Sequence, residues 1–185
     1  MRVAYILFDG ITWLDFFGVY DPVSRLKSLK YISNLQWDLC AFTDSVADNF
    51  GLQIVPTKIR QSLAGYDALI VPGGFGTRKL RYNKAFLDWV RTAEPVKQKI
   101  SVCTGSLILG AAGFLINKKA TTNEQEYDTL KPYCKQVVEG RIVEDQGVVT
   151  AGGVASSLDV GLYLCEKWAG TNAAAQIRKR MSYRA

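Results

Sequence analysis

Cys103 is the residue of this chain best placed for covalent chemistry, because of what precedes and follows it. In Lys99-Ile-Ser-Val-Cys-Thr-Gly-Ser-Leu-Ile-Leu-Gly-Ala-Ala-Gly113 a short apolar run leads into the cysteine, and a helix-like run of small and aliphatic residues follows. A strand that turns abruptly into a helix displays the junction side chain, the layout of a nucleophile elbow. Unpaired N–H groups at the start of that helix favour negative charge, which predicts a thiolate with a lowered pKa. Gly105 allows the tight turn, and Ser106 and Gly110 let the helix lie close to a sheet. The competing reading is a buried structural cysteine on a core strand.

Two further segments can serve that thiol. Leu69-Ile-Val-Pro-Gly-Gly-Phe-Gly76 reads as a buried strand ending in a glycine-rich turn. Its unshielded N–H groups, at Gly73 and above all Gly74, are candidates to stabilise an oxyanion together with the amide of Thr104. Ligand sites of open α/β sheets lie beyond the carboxyl ends of strands, which predicts one cleft for both turns. In Leu14-Asp-Phe-Phe-Gly18 a lone carboxylate stands among apolar neighbours. Beside Cys103, an apolar setting would raise the pKa of Asp15 and let it donate a proton; otherwise it caps a helix. Asp9 and Glu124 are the competing acids.

The elements that must position these residues follow from pattern. Apolar, β-branched runs at 3–8, 37–42, 68–71, 99–102 and 148–151 alternate with helix-like segments, which predicts βαβ units on a mostly parallel sheet with helices on both faces: an α/β three-layer sandwich. Helices are expected at 14–29, 84–94, 104–113, 123–131, 155–168 and 172–181, the first broken at Asp21-Pro22 because proline fits a helix interior badly. Turns at 139–141 and 145–147 should bracket a short strand at Ile142-Val143 in a small hairpin. With 185 residues, 48% hydrophobic, and no repeat or linker, one domain over 1–185 is expected.

Composition removes several function classes. The chain has no histidine, so acid–base work falls to carboxylates, thiols, lysine or tyrosine, and no metal site is expected. Its four cysteines lack CxxC spacing, which fits a reducing, cytoplasmic setting without disulfides or structural zinc. No run approaches the roughly 18–20 apolar residues of a membrane span. The net charge of +6 is spread out, as on solvated helix faces, and nucleic acid is not an expected partner.

Taken together, residues 8–18, Tyr66-Asp-Ala-Leu-Ile-Val-Pro-Gly-Gly74, Ser101-Val-Cys-Thr-Gly-Ser106, Lys119-Ala-Thr-Thr-Asn123 and Val149-Thr-Ala-Gly-Gly153 resemble, in order, the ThiJ/PfpI family of class I glutamine amidotransferase-like proteins. The resemblance implies a flavodoxin-like fold, a nucleophilic cysteine at Cys103 and a homodimer packed near the site. Within the family the chain looks most like the isonitrile hydratase branch, which has an acid where Asp15 stands and a Cys-Thr pair where Cys103 and Thr104 stand. Protease-like members carry histidine after the cysteine, and regulator domains often read Ala-Thr-Thr-His-Trp, where this chain has Thr104 and Asn123-Glu124. The resemblance implies a lyase that hydrates an isocyanide to an N-substituted formamide through a Cys103 adduct, with Asp15 as proton donor and no cofactor. The alternatives are glyoxalase or deglycase action on α-oxoaldehydes, and a non-enzymatic redox-sensing or stress-associated dimer.

Overall fold

In chain order, the computed structural model, which describes residues 1–184, contains β1 (Arg2–Leu7), α1 (Trp13–Ser28), β2 (Gln36–Ala41), β3 (Val46–Ala47), β4 (Gln53–Ile54), β5 (Lys58–Ile59), β6 (Ala68–Val71), α2 (Thr77–Leu80) and α3 (Lys84–Arg91). It continues through β7 (Gln98–Val102), α4 (Gly105–Ala111), β8 (Lys119–Ala120), α5 (Tyr127–Leu130), β9 (Gln136–Val137), β10 (Ile142–Asp145), β11 (Val148–Ala151), α6 (Ser156–Ala169) and α7 (Thr171–Arg180). Seven strands form one sheet in the order β10-β11-β7-β6-β1-β2-β5, parallel throughout except for the β10–β11 hairpin. Helices cover both faces, the expected flavodoxin-like α/β sandwich.

The central strands are short apolar runs because both of their faces are covered. Every residue of β6 and β11 is buried, as are the last four of β7. The register aligns Val71 with Ser101 and Val102 with Ala151, so the Pro72-Gly73-Gly74 turn, Cys103 and Gly152 all emerge at one end of the sheet. The helix carrying Asp15 comes to the same end. Ile11 bridges to Gly74, and Thr12 donates its N–H to the Gly73 carbonyl at 2.9 Å before α1 begins.

The expected break at Pro22 is absent: α1 runs through it. Pro22 leaves the Gly18 carbonyl without its usual donor, and the packing against α6 accommodates this. A Cβ on Gly161 would lie 2.7 Å from the Pro22 ring and 2.8 Å from the Gly18 oxygen, so the two helices meet backbone to backbone there. The Cys165 thiol donates to the Pro22 carbonyl at 3.3 Å. Tertiary packing overrides local propensity here. The segment expected as one helix over 123–131 is instead a 3-10 turn at Glu124–Glu126 followed by the single turn α5. The β3–β4 hairpin, β5, α2 and the β8–β9 pair were not anticipated. Among the described residues, no helix is long and apolar enough to cross a membrane.

Candidate active site

Cys103 sits at the junction of β7 and α4 with φ of 53°, a left-handed conformation that is strained for any residue with a Cβ. Its backbone is held there on both sides. Its N–H donates to the Ala151 carbonyl at 3.0 Å, and its carbonyl accepts from Thr122 Oγ1 at 3.0 Å and Ser106 Oγ at 3.2 Å. Thr122 belongs to the Ala-Thr-Thr segment, which thus fixes the elbow from the far side. The elbow also requires Gly105, whose substituent would fall 2.1 Å from the Val71 carbonyl oxygen.

Asp15 is not a cap. It is wholly buried and reaches across to the Gly-Gly turn, where its Oδ2 accepts the Gly73 N–H at 2.9 Å. A Cβ on Gly73 would lie 2.7 Å from Asp15 Oδ2, 2.7 Å from the Thr104 nitrogen and 2.8 Å from the Cys103 Cβ. Position 73 is therefore the gap through which carboxylate and thiol meet. Asp15 Oδ1 is buried with no hydrogen-bond partner of its own and is the oxygen free to carry a proton. The other two acids take no part. Asp9 accepts the Ala47 N–H at 2.9 Å and holds the β3–β4 hairpin, while Glu124 borders a separate cleft beside Arg141.

Burial pushes the Asp15 carboxyl up to about 7 against the lowering effect of the Gly73 N–H and the Cys103 thiol. Burial, and then the Asp15 charge, push the Cys103 thiol up to about 11, opposed by the Thr104 N–H, the Thr104 hydroxyl and the Asn123 side chain. The lowered thiol pKa expected from the elbow alone is thus not what this setting gives. The two groups titrate as a unit that holds a single proton across the neutral and mildly alkaline range. That arrangement suits a thiol that surrenders its proton to a neighbouring carboxylate as it attacks.

The anticipated oxyanion donors are differently employed. Gly73 donates to Asp15, and the Gly74 N–H donates to Thr104 Oγ1 at 3.0 Å, so the Gly-Gly turn positions the acid and the threonine. Of the expected set, Thr104 retains a backbone N–H directed at the sulfur, and Asn123 joins it. Above the thiol lies a cavity of about 170 Å³ bordered by Thr12, Phe75, Arg78, Gln125 and Val154. Phe75 is the aromatic residue in that lining. Trp13 and Phe16 are core residues, and Phe17 is exposed on the outer side of α1. Thr122, Asn123 and Arg78 escaped sequence reasoning; the Ala-Thr-Thr-Asn run was the available signal for the first two. Among the described residues, no group of three or more His, Cys, Asp or Glu side chains is placed to hold a metal.

The buried acid makes a stability prediction. The unfolded chain ionises Asp15 near 3.8 and the folded chain near 7, so the folded state holds the extra proton between those values. Stability linked to that proton is full below the lower value and is lost as pH rises through the upper one, by about 4 kcal/mol in all. Asp15→Asn, which cannot ionise, is expected to melt above the parent, with a gap that widens from about pH 4 to 7 and is constant beyond. A gap independent of pH in thermal melts would show that Asp15 does not ionise in the buried state.

Comparison with known proteins adds lineage. The profile of the DJ-1/PfpI family matches residues 1–167. The isonitrile hydratase of Pseudomonas putida is 34% identical over 185 residues, covering 99% of this chain and 78% of the relative. The crystal structure of a ThiJ/PfpI family protein from Pseudomonas syringae superposes with a TM-score of 0.89 at 28% identity, covering all of this chain and 75% of that one. Drosophila melanogaster DJ-1beta has the same fold, with a TM-score of 0.84 at 18% identity over the whole of this chain and 98% of its own.

Proposed function

Because this chain belongs to the DJ-1/PfpI family, we propose that it is a cysteine-dependent isocyanide hydratase, converting R–NC and water to the formamide R–NH–CHO. The observation that carries the reading is the wholly buried Asp15, with one unpartnered oxygen, packed against a cysteine on a strained elbow. Cys103 sulfur attacks the terminal isocyanide carbon while its proton passes to the Asp15 carboxylate. The resulting carboxylic acid delivers that proton to the same carbon, leaving the thioimidate R–N=CH–S–Cys103. Asp15, again a carboxylate, then takes a proton from water as the oxygen adds to that carbon. Asp15 hands that proton to the nitrogen, and the C–S bond then breaks as the hydroxyl proton passes to the departing sulfur, so that the thiol is regenerated and the formamide leaves. Atoms balance with no cofactor or metal. The Thr104 N–H and the Asn123 side chain attend the sulfur while it bears charge.

The similarity to a named isonitrile hydratase supports this reading over the alternatives. A redox sensor requires an exposed thiol with thiolate character, whereas Cys103 is 6% exposed and its titration is pushed up to about 11. DJ-1/PfpI proteins are commonly dimers that act on small molecules. We propose a homodimer here too, burying the exposed apolar side chains of Leu14 and Phe17 on α1 and of Phe50 and Leu52 at the β3–β4 hairpin. The deciding experiment incubates the protein with an aromatic isocyanide, measures formamide, and maps any adduct by mass spectrometry after rapid quenching. Formamide together with a thioimidate mass on Cys103 is expected, from a preparation whose light-scattering mass is twice that of the chain. If no formamide appears, the hydratase assignment falls.

A further inference from the structure

The cavity over Cys103, at about 170 Å³, is well below the roughly 300–1,000 Å³ of sites that hold drug-sized ligands, so its occupant is compact. Among the described residues that line it, Arg78 is the one with a permanent charge; apart from Cys103 itself, the others are hydroxyl, amide, glycine and apolar groups. Of the two carboxylates nearby, Asp15 is sealed behind Gly73, and neither it nor Glu126 lines the cavity. The one charged group that a substrate's substituent meets in that lining is therefore the Arg78 guanidinium.

Arg78 is held in place on two sides. Its Nη2 pairs with Glu126 Oε1 at 2.6 Å, across the gap between α2 and the Glu124–Glu126 turn, and its guanidinium lies 5.1 Å from the Phe75 ring centroid. The Glu126 side chain is only 13% exposed and stands outside the cavity lining. One carboxylate oxygen engages one nitrogen of a planar fork with five N–H donors. A guanidinium already oriented by a ring and a half-buried acid loses little freedom when it binds a second carboxylate.

We infer that Arg78 is a specificity-determining residue that selects compact substrates bearing a carboxylate a few atoms from the carbon that Cys103 attacks. This deepens the isocyanide reading and rests on it for the identity of the reactive group. The charge selection itself is a property of the cavity and can be read without turnover.

Two matched probe pairs test it. Iodoacetate and iodoacetamide both alkylate Cys103, the sulfur displacing iodide and the thiol proton going to solvent, and differ chiefly in charge. Isocyanoacetate and its methyl ester make the same comparison during hydration. Rates at Cys103 are followed by peptide mapping, because the chain has four cysteines. Arg78→Gln is expected to lower the iodoacetate-to-iodoacetamide rate ratio about tenfold, the scale of a charge-assisted hydrogen bond, and to lower the isocyanoacetate-to-ester ratio of kcat/KM similarly. Lys79→Gln removes the same charge from an exposed neighbour outside the cavity and should leave both ratios at the parent value. Glu126→Gln loosens the same wall yet keeps the cation, and should hold or raise them. The inference is overturned if Arg78→Gln keeps the parent ratios, or if Lys79→Gln or Glu126→Gln lowers them as much. If the parent hydrates neither isocyanide, the hydratase reading fails while the alkylation ratio still decides the role of Arg78.

Discussion

Cys103→Ala is expected to lower kcat/KM for isocyanide hydration by about ten-thousandfold or more, and Asp15→Asn by a hundred- to ten-thousandfold, with the double variant no slower than Cys103→Ala alone. The non-additivity follows from the mechanism: every proton that Asp15 moves, the attacking water's included, is exchanged with the sulfur or with the adduct the sulfur has formed, so once the sulfur is gone it has nothing to serve. Misfolding does not account for the expected loss in Asp15→Asn. The amide oxygen can still accept the Gly73 N–H that Asp15 now accepts at 2.9 Å, and the variant is expected to be the more stable protein at neutral pH. Rates measured beside melting temperatures separate the two effects. An Asp15→Asn protein that turns over at the parent rate would remove the carboxylate from the mechanism, and additive losses would separate it from Cys103.

The second large effect is structural. Intrinsic helix propensity favours alanine over glycine by about 1 kcal/mol, so at the start of α4 Gly105→Ala looks beneficial from sequence. In the fold the added methyl would lie 2.1 Å from the Val71 oxygen and 2.7 Å from the Pro72 oxygen. Both atoms are backbone, and no rotamer change can withdraw them. Overlap therefore wins, and a loss of about 3 kcal/mol is expected, roughly 6–12 °C in melting temperature for a chain of this size. The same displacement would part the elbow from the Gly-Gly turn, so activity should fall as well. Gly153 makes the contrast: a Cβ there meets nothing within 4 Å, and Gly153→Ala should change stability by no more than about 0.5 kcal/mol. Equal melting temperatures for the two variants would contradict the packing described at the elbow.

These two glycines show where sequence reading succeeds and where it stops. The strand-to-helix passage around Cys103 is legible because its signals are contiguous: an apolar run, a cysteine and small residues within about one strand and one helical turn. The β1, β2, β6, β7 and β11 positions are legible for the same reason. Asp15 was singled out for its apolar neighbours, but its partner lies 58 residues away at Gly73, a pairing no local pattern encodes. The helix through Pro22 is invisible for the opposite reason. A strong local rule is overridden by packing against Gly161, which is far along the chain. Arg78 lies on a helix of four residues, too short to display any periodicity. The thiol's titration is not legible, because the helix N-terminus can be read from sequence and the depth of burial cannot.

The left-handed backbone at Cys103 has a practical corollary for anyone improving this protein by selection. Glycine would relieve that conformation at position 103, a gain of roughly 1–2 kcal/mol, just as asparagine would relieve the buried charge at position 15. A library sorted for heat resistance alone would drift toward both replacements and return sturdier molecules with the nucleophile and its acid deleted. Directed evolution here must score turnover in every round, because the most reactive positions are also the ones where the fold has the most to gain by giving them up.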